Sequence, residues 1–414
     1  MKVLWLVNLT LPEPAKALGF GNNPVGGWLI GQREQLKHSV SLMICSIDAR
    51  VKKSEFLTIE GVDYAVLPTG SREEFSALLQ SAQPDLVHLW GSENPAAPAL
   101  VSLCSPERIL LSAQGIMTPY TEHLLDGVPE KYCRSSPLQK LATVIDRGEL
   151  LDRELAFYQE QSKKEAALLA GLRHVTGRTP WDKAELAALA PHAAYYVCNE
   201  TLRPGFFSAR WQGGPQKPVL FLSQGNQPRK GLHWLLQALP PVLEKYPDLT
   251  LHIAGWPMVK KGPLLEPLLR LLLPYQTYLK KLIRKYHLEK QVVWLGCLNE
   301  ADMRAALLQS SIFVMPSSLE NSPNSLGEAM LLGMPCIATD AGGTAGMLTN
   351  GKEGILYAPE DVPALTAAIL SLLDDPAKAR RYGDAARERA LVTHDPVRNG
   401  QAMLKIYRTI LKEE

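Results

Sequence analysis

Cysteine is scarce and scattered. The six thiols, Cys45, Cys104, Cys133, Cys198, Cys297 and Cys336, form no Cys-x-x-Cys pair and no cluster with histidine. That spacing argues against a zinc module or a disulfide scaffold and suits reduced thiols in a cytosolic protein. An excess of either charge is missing as well. Against 44 Lys and Arg stand 42 Asp and Glu, a net charge of +2, so the chain has no general attraction for nucleic acid. Nowhere does it approach the ~20 uninterrupted apolar residues that cross a bilayer. The apolar start, residues 1–8, is too short for a signal peptide and no small-residue cleavage site follows, so it reads as a first buried strand. The expectation is a cytoplasmic protein, soluble or held peripherally at the inner face of a membrane.

What the chain does have is length. With 414 residues and an apolar fraction of 46% it can form two or three domains, each with its own core. Short apolar runs alternate with helical stretches in both halves, which predicts an α/β fold of doubly wound parallel sheets. Gln212-Gly213-Gly214-Pro215-Gln216-Lys217-Pro218 has linker composition. It sets the border between a first domain over 1–212 and a second over 213–392, with a helical tail over 393–414 after it.

The most informative stretch is residues 317–330, Ser-Ser-Leu-Glu-Asn-Ser-Pro-Asn-Ser-Leu-Gly-Glu-Ala-Met. An apolar run, 312–315, precedes it as a buried strand. Ser322 followed by Pro323 signals a helix start, a hydroxyl cap with proline in the first turn. Gly333 ends that helix, and 336–339 reads as the next strand. The amino end of such a helix offers amides and positive dipole to an anion, phosphate above all. Glu320 in the loop and Glu328 on the helix add acceptors for hydroxyl groups. An anion site flanked by two carboxylates points to a ligand with phosphate and sugar parts, as in a nucleoside-diphosphate sugar.

At this stretch the chain resembles retaining glycosyltransferases of family 4, which have the GT-B fold. Glu320 and Glu328, with seven residues between them, match the family's paired glutamates, and Ala341-Gly342-Gly343 follows in place. The resemblance implies two Rossmann-like domains facing each other across a cleft, with the last helix, 396–411, crossing back to the first domain. It implies that Glu320 contacts the transferred hexose and Glu328 the nucleotide ribose. The amides of Asn321, Ser322, Pro323's neighbour Asn324 and Ser325 would meet the diphosphate, with Pro323 shaping that turn.

Other positions fall into the same frame. Gly26-Gly27, before a helical stretch, suits close approach of a phosphate, and in the family a Gly-Gly here lies against the donor phosphates. Arg229 and Lys230 begin a helix after the strand 219–224, placed to neutralise a diphosphate without a metal. Lys230-Gly231 matches the family's donor motif, while Gln224 stands where many members have arginine. His88, at the end of an apolar strand, is either a satisfied core histidine or a contact to sugar or acceptor, with Glu93 a companion candidate. Gln114 stands where many members have histidine and is expected to hydrogen-bond rather than carry a proton. Arg178 ends the strand 174–179 on the same side. No Asp-x-Asp motif occurs, so neither a divalent metal nor another cofactor is expected.

The segment 257–290 carries eight Lys and Arg against two acidic residues, interleaved with leucines. It reads as a solvated helix face or as a peripheral contact to anionic lipid. The function expected is transfer of a hexose, from a UDP-sugar in the first instance, to a glycan or lipid-linked acceptor in surface polysaccharide or glycolipid assembly. A nucleotide-sugar 2-epimerase on the same fold and a non-catalytic sugar-nucleotide-binding protein are the alternatives.

Overall fold

Lys2–Val7 (β1) shows how the first sheet is built. Successive side chains of a strand point to opposite faces, and here both faces are apolar: Leu4 and Leu6 join one core, Val3, Trp5 and Val7 another. Such a strand is stable only inside a sheet covered on both sides. In the computed structural model, which describes residues 1–20, 26–134, 151–255 and 274–412, β1 is central. Its companions are Ser41–Ile47 (β2), Glu55–Ile59 (β3), Val62–Leu67 (β4), Leu86–Trp90 (β5), Ile109–Ser112 (β6), His174–Gly177 (β7) and Ala194–Val197 (β8). The order is β3-β4-β2-β1-β5-β6-β7-β8, all pairs parallel except the antiparallel hairpin β3/β4 at one edge.

The second sheet follows the same rule. Val219–Leu222 (β9), Ile312–Met315 (β12) and Cys336–Thr339 (β13) are buried at every position. With Thr250–Ala254 (β10), Val292–Gly296 (β11) and Ile355–Tyr357 (β14) they make six parallel strands, β11-β10-β9-β12-β13-β14. Leu220 and Leu222 face the core beneath the helix Leu232–Lys245, while Phe221 stacks on Phe313 from the other face. Among the described residues no helix is long and apolar enough to cross a membrane.

The chain divides into two compact units. One comprises residues 1–118, 161–204 and 393–414; the other comprises 119–160 and 205–392. The sequence placed 119–160 in the first domain, whereas it clusters with the second. The glycine- and proline-rich stretch after Gln212 lies within the second unit rather than at its border. Trp211 holds it there, donating from Nε1 to the Ser310 carbonyl at 2.8 Å, and Gly214 packs on Ser311. The last helix, Pro396–Leu411, joins the first unit, where it packs on Gly27–Leu36 and buries Tyr407 against β1 and β5.

Candidate functional site

In the second unit the chain leaves β9 outward through β10 and β11, then returns to build β12, β13 and β14 on the other side. At such a reversal, neighbouring loops part at the carboxyl ends of the strands and open a ligand crevice. The loops after β9 and β12 carry Arg229, Lys230 and Glu320. Each loop holds the other. Ser318 N donates to the Arg229 carbonyl at 2.8 Å, and Arg229 Nη1 donates to the Leu319 carbonyl at 2.8 Å. Thr339 Oγ1, at the end of β13, donates to the Ser317 carbonyl at 2.5 Å, and Gly343 N donates to the Glu320 carbonyl at 2.8 Å. Gly342, at φ +60°, passes so close to that carbonyl that a Cβ would collide with it.

The charges converge. Lys230 Nζ lies 2.6 Å from Glu320 Oε1, and Arg229 Nη1 lies 3.6 Å from Glu320 Oε2, with all three side chains largely buried. Burial alone would raise the Glu320 pKa, but Lys230 and then Arg229 outweigh it and hold the carboxyl below its ordinary value. Burial pulls Lys230 down from the usual lysine range, Glu320 opposing and Arg229 assisting. Two cations thus share the one carboxylate of Glu320.

The helix after Glu320 starts one residue later than its sequence suggests. It runs Asn324–Leu332, with Pro323 at the cap position in an extended conformation. Ser322 does not cap it; its hydroxyl turns to Met347 Sδ at 3.4 Å, because an extended Pro323 carries the chain away from the helix axis. No side chain caps this end; Leu326 N donates to the Pro323 carbonyl at 3.1 Å, and the dipole and amides ahead of it suit an anion. Ser223 Oγ donates to Ser325 Oγ at 3.1 Å and so ties the end of β9 to the helix start. Asn321 and Glu328 are buried beside it. Gln224 donates its amide to Asn226 Oδ1 at 3.0 Å, a local turn contact rather than a replacement for a cation.

The remaining sequence candidates belong to the first unit. His88 is a core residue rather than a contact to sugar or acceptor. It is fully buried, with Nδ1 2.7 Å from the Tyr407 hydroxyl, Nε2 2.7 Å from the Ser112 hydroxyl, and a pKa pushed down to about 3 by burial. The apolar strand that made it look accessible at its end is closed over by the last helix. Glu93 lies at the first sheet's own reversal, between β1 and β5, where Asn8 Nδ2 donates to Glu93 Oε1 at 2.6 Å. Burial, and then the charges of Glu165 and Glu200, push its pKa up to about 7.

Gln114 and Arg178 meet on a residue the sequence reading passed over. Glu200 accepts from Gln114 Nε2 at 2.5 Å and pairs with Arg178 Nη1 at 2.7 Å. Its only signal in the sequence was a carboxylate just beyond β8. These three line a small cavity with Trp90, Thr176 and Cys198. Gly26, at φ +94°, precedes the helix Gly27–Leu36, and the Arg203 side chain lies against Gly27 where a Cβ would be. Among the described residues no group of three or more His, Cys, Asp or Glu side chains forms a metal-ligand set.

Residues 208–389 match the family model described as Glycosyl transferases group 1. Glycogen synthase of Mycobacterium tuberculosis is 30% identical over 212 residues, 50% of this chain and 47% of the relative. The chain spans about half the length of the curated relatives it matches. Among solved structures, sucrose-phosphate synthase from Thermosynechococcus elongatus superposes with a TM-score of 0.73 at 17% identity, covering 100% of both chains. Anabaena HepE, solved in complex with UDP-glucose, gives a TM-score of 0.67 at 16% identity over 99% of this chain and 100% of its own. At such identity the shared property is the fold, and it is the GT-B class expected from the sequence.

Proposed function

We propose that this protein is a retaining glycosyltransferase that moves a hexose from a nucleoside-diphosphate sugar to an acceptor hydroxyl. The observation that carries the reading is the convergence of Arg229 and Lys230 on Glu320 beside the uncapped start of Asn324–Leu332, at a sheet reversal. Two cations and a helix amino end match a diphosphate. Charge that develops on the leaving diphosphate is stabilised by groups already fixed in place. Without donor, Glu320 occupies the Lys230 ammonium; the diphosphate takes over that cation and leaves the carboxylate to accept from hexose hydroxyls. Glu328 takes the ribose, so both glutamates position rather than react.

The match of residues 208–389 to group 1 glycosyltransferases supports this reading, and UDP-glucose in the HepE structure makes UDP-sugars the first donors to try. The sequence has no Asp-x-Asp motif, and its own cations supply the countercharge, so turnover proceeds without a divalent metal. The acceptor is a glycan or lipid-linked saccharide presented at the cytoplasmic membrane face. Gln114, Arg178 and Glu93 in the first unit are polar groups suited to contact sugar hydroxyls.

The test is release of nucleoside diphosphate from a panel of UDP-, GDP- and ADP-sugars, with and without lipid-linked acceptors, in EDTA. Acceptor-dependent release with the anomeric configuration kept is the expected result. No release from any donor refutes the reading, and conversion of the donor to its 2-epimer without acceptor replaces it with the epimerase.

A further inference from the structure

The segment that crosses over from the first unit's sequence to the second unit's fold, residues 119–134, docks at the edge of the charge cluster. Gly127, at φ +69°, passes so close to His233 and Trp234 that a Cβ would lie 2.6 Å from the Trp234 ring. Val128 is buried in the second core, and the Tyr132 ring centroid lies 5.1 Å from that of Tyr278. The His123 carbonyl accepts from Ser318 Oγ at 3.3 Å, two residues before Glu320. The segment is therefore bound both to the loop after β12 and to the helix that follows Lys230.

At its start, the Tyr120 ring lies 4.1 Å from the Arg229 guanidinium carbon. A guanidinium binds phosphate oxygens through N–H groups in its own plane. An aromatic face stacked on it leaves those edges free and fixes the plane in which they point. The Arg229 edge that reaches the Leu319 carbonyl and Glu320 is held by the loop, and its face is held by Tyr120.

We propose that Tyr120 is a positioning residue for the donor diphosphate, acting through Arg229, and that residues 119–134 are thereby a working part of the donor site. This inference rests on the donor reading of the Arg229–Lys230–Glu320 cluster. It is tested by calorimetric binding of UDP, GDP and inorganic pyrophosphate to the full chain and to Tyr120→Phe, Tyr120→Leu, Arg229→Gln and the Tyr120→Leu/Arg229→Gln pair. Leucine is expected to weaken UDP and pyrophosphate about fivefold, and phenylalanine, which keeps the ring, to stay within about twofold. On the Arg229→Gln background the leucine effect is expected to vanish, because both changes remove one interaction. If leucine unfolds the segment, Tyr120→Gln, similar in reach but without a ring, gives the same comparison. Unchanged affinity in the ring-less variants, or an undiminished loss without Arg229, overturns the inference and leaves the donor reading standing. A parent chain that binds none of the three ligands overturns both.

Discussion

Glu320 is ionised because of its neighbours and in spite of its burial, so its removal acts twice. Glu320→Ala takes away a sugar contact and also strands Lys230 as a buried unpaired cation, a change that costs about 3 kcal/mol in such pairs. Urea unfolding is expected to register that loss in Glu320→Ala, and the pair Glu320→Gln/Lys230→Met to recover most of it. Donor turnover is expected to stay abolished in both, which separates the carboxylate's part in folding from its part in transfer. Glu93 gives a different signature. Its folded-state pKa is raised from 4.5 to about 7 by burial. Between those values the folded chain holds a proton that the unfolded chain has released, so this group's contribution to stability falls as pH rises. Going from pH 5 to pH 8, the melting temperature of the parent should fall further, or rise less, than that of Glu93→Gln.

Secondary elements explain where the chain could be read directly and where it could not. Strands β5, β9, β12 and β13 are apolar but for His88 and Thr339 and buried at every position, and that pattern has one stable home, inside a parallel sheet. The loops that carry Arg229, Lys230 and Glu320 follow those strands at once, so their meeting was legible. Contacts between distant residues were not: nothing local marks Glu200 as the partner of Arg178 and Gln114, or Tyr407 as the residue that closes over His88. Pro240-Pro241 suggests a helix ending at Leu239, yet Leu232–Lys245 continues through them, because the burial of Leu235, Leu236, Leu239 and Val242 outweighs the lost bonds. Gly231, at φ +71°, packs against the Pro316 carbonyl, so Gly231→Ala pushes the loops after β9 and β12 apart. It is expected to lower stability by about 1–3 kcal/mol and to raise the donor KM, measured by unfolding and steady-state kinetics. Of the basic stretch 257–290, residues 257–273 lie outside the described residues. In the helix Pro274–Lys285 the apolar side, Tyr275, Tyr278, Leu279 and Leu282, is packed into the core, leaving Lys281, Arg284 and Lys285 exposed. Any attraction to anionic lipid by this helix is therefore electrostatic, worth about 1 kcal/mol per cation. Co-sedimentation with phosphatidylserine vesicles should fall steeply with salt and weaken in a Lys281/Arg284/Lys285→Gln triple variant.

At the scale of the whole molecule, the backbone passes between the two units four times, after residues 118, 160, 204 and 392. Composition pointed to a single border near residue 212, because a linker is recognised by glycine and proline while a crossing inside ordinary sequence has no such mark. Fragments 1–212 and 213–414 are accordingly expected not to fold when expressed separately. The first lacks the helix that buries Tyr407, and the second lacks Val128 and Leu151 from its core. Circular dichroism melts of each fragment and of the re-mixed pair test this. The order of manufacture turns out to be the reverse of the order of completion. As the ribosome delivers the polypeptide, everything the second unit requires has emerged by residue 392, whereas the first waits for Pro396–Leu411. The half made earlier is finished later, and until then the face of β1 bearing Val3, Trp5 and Val7 has the cover of Leu29 and Leu36 but not of Met403 and Tyr407.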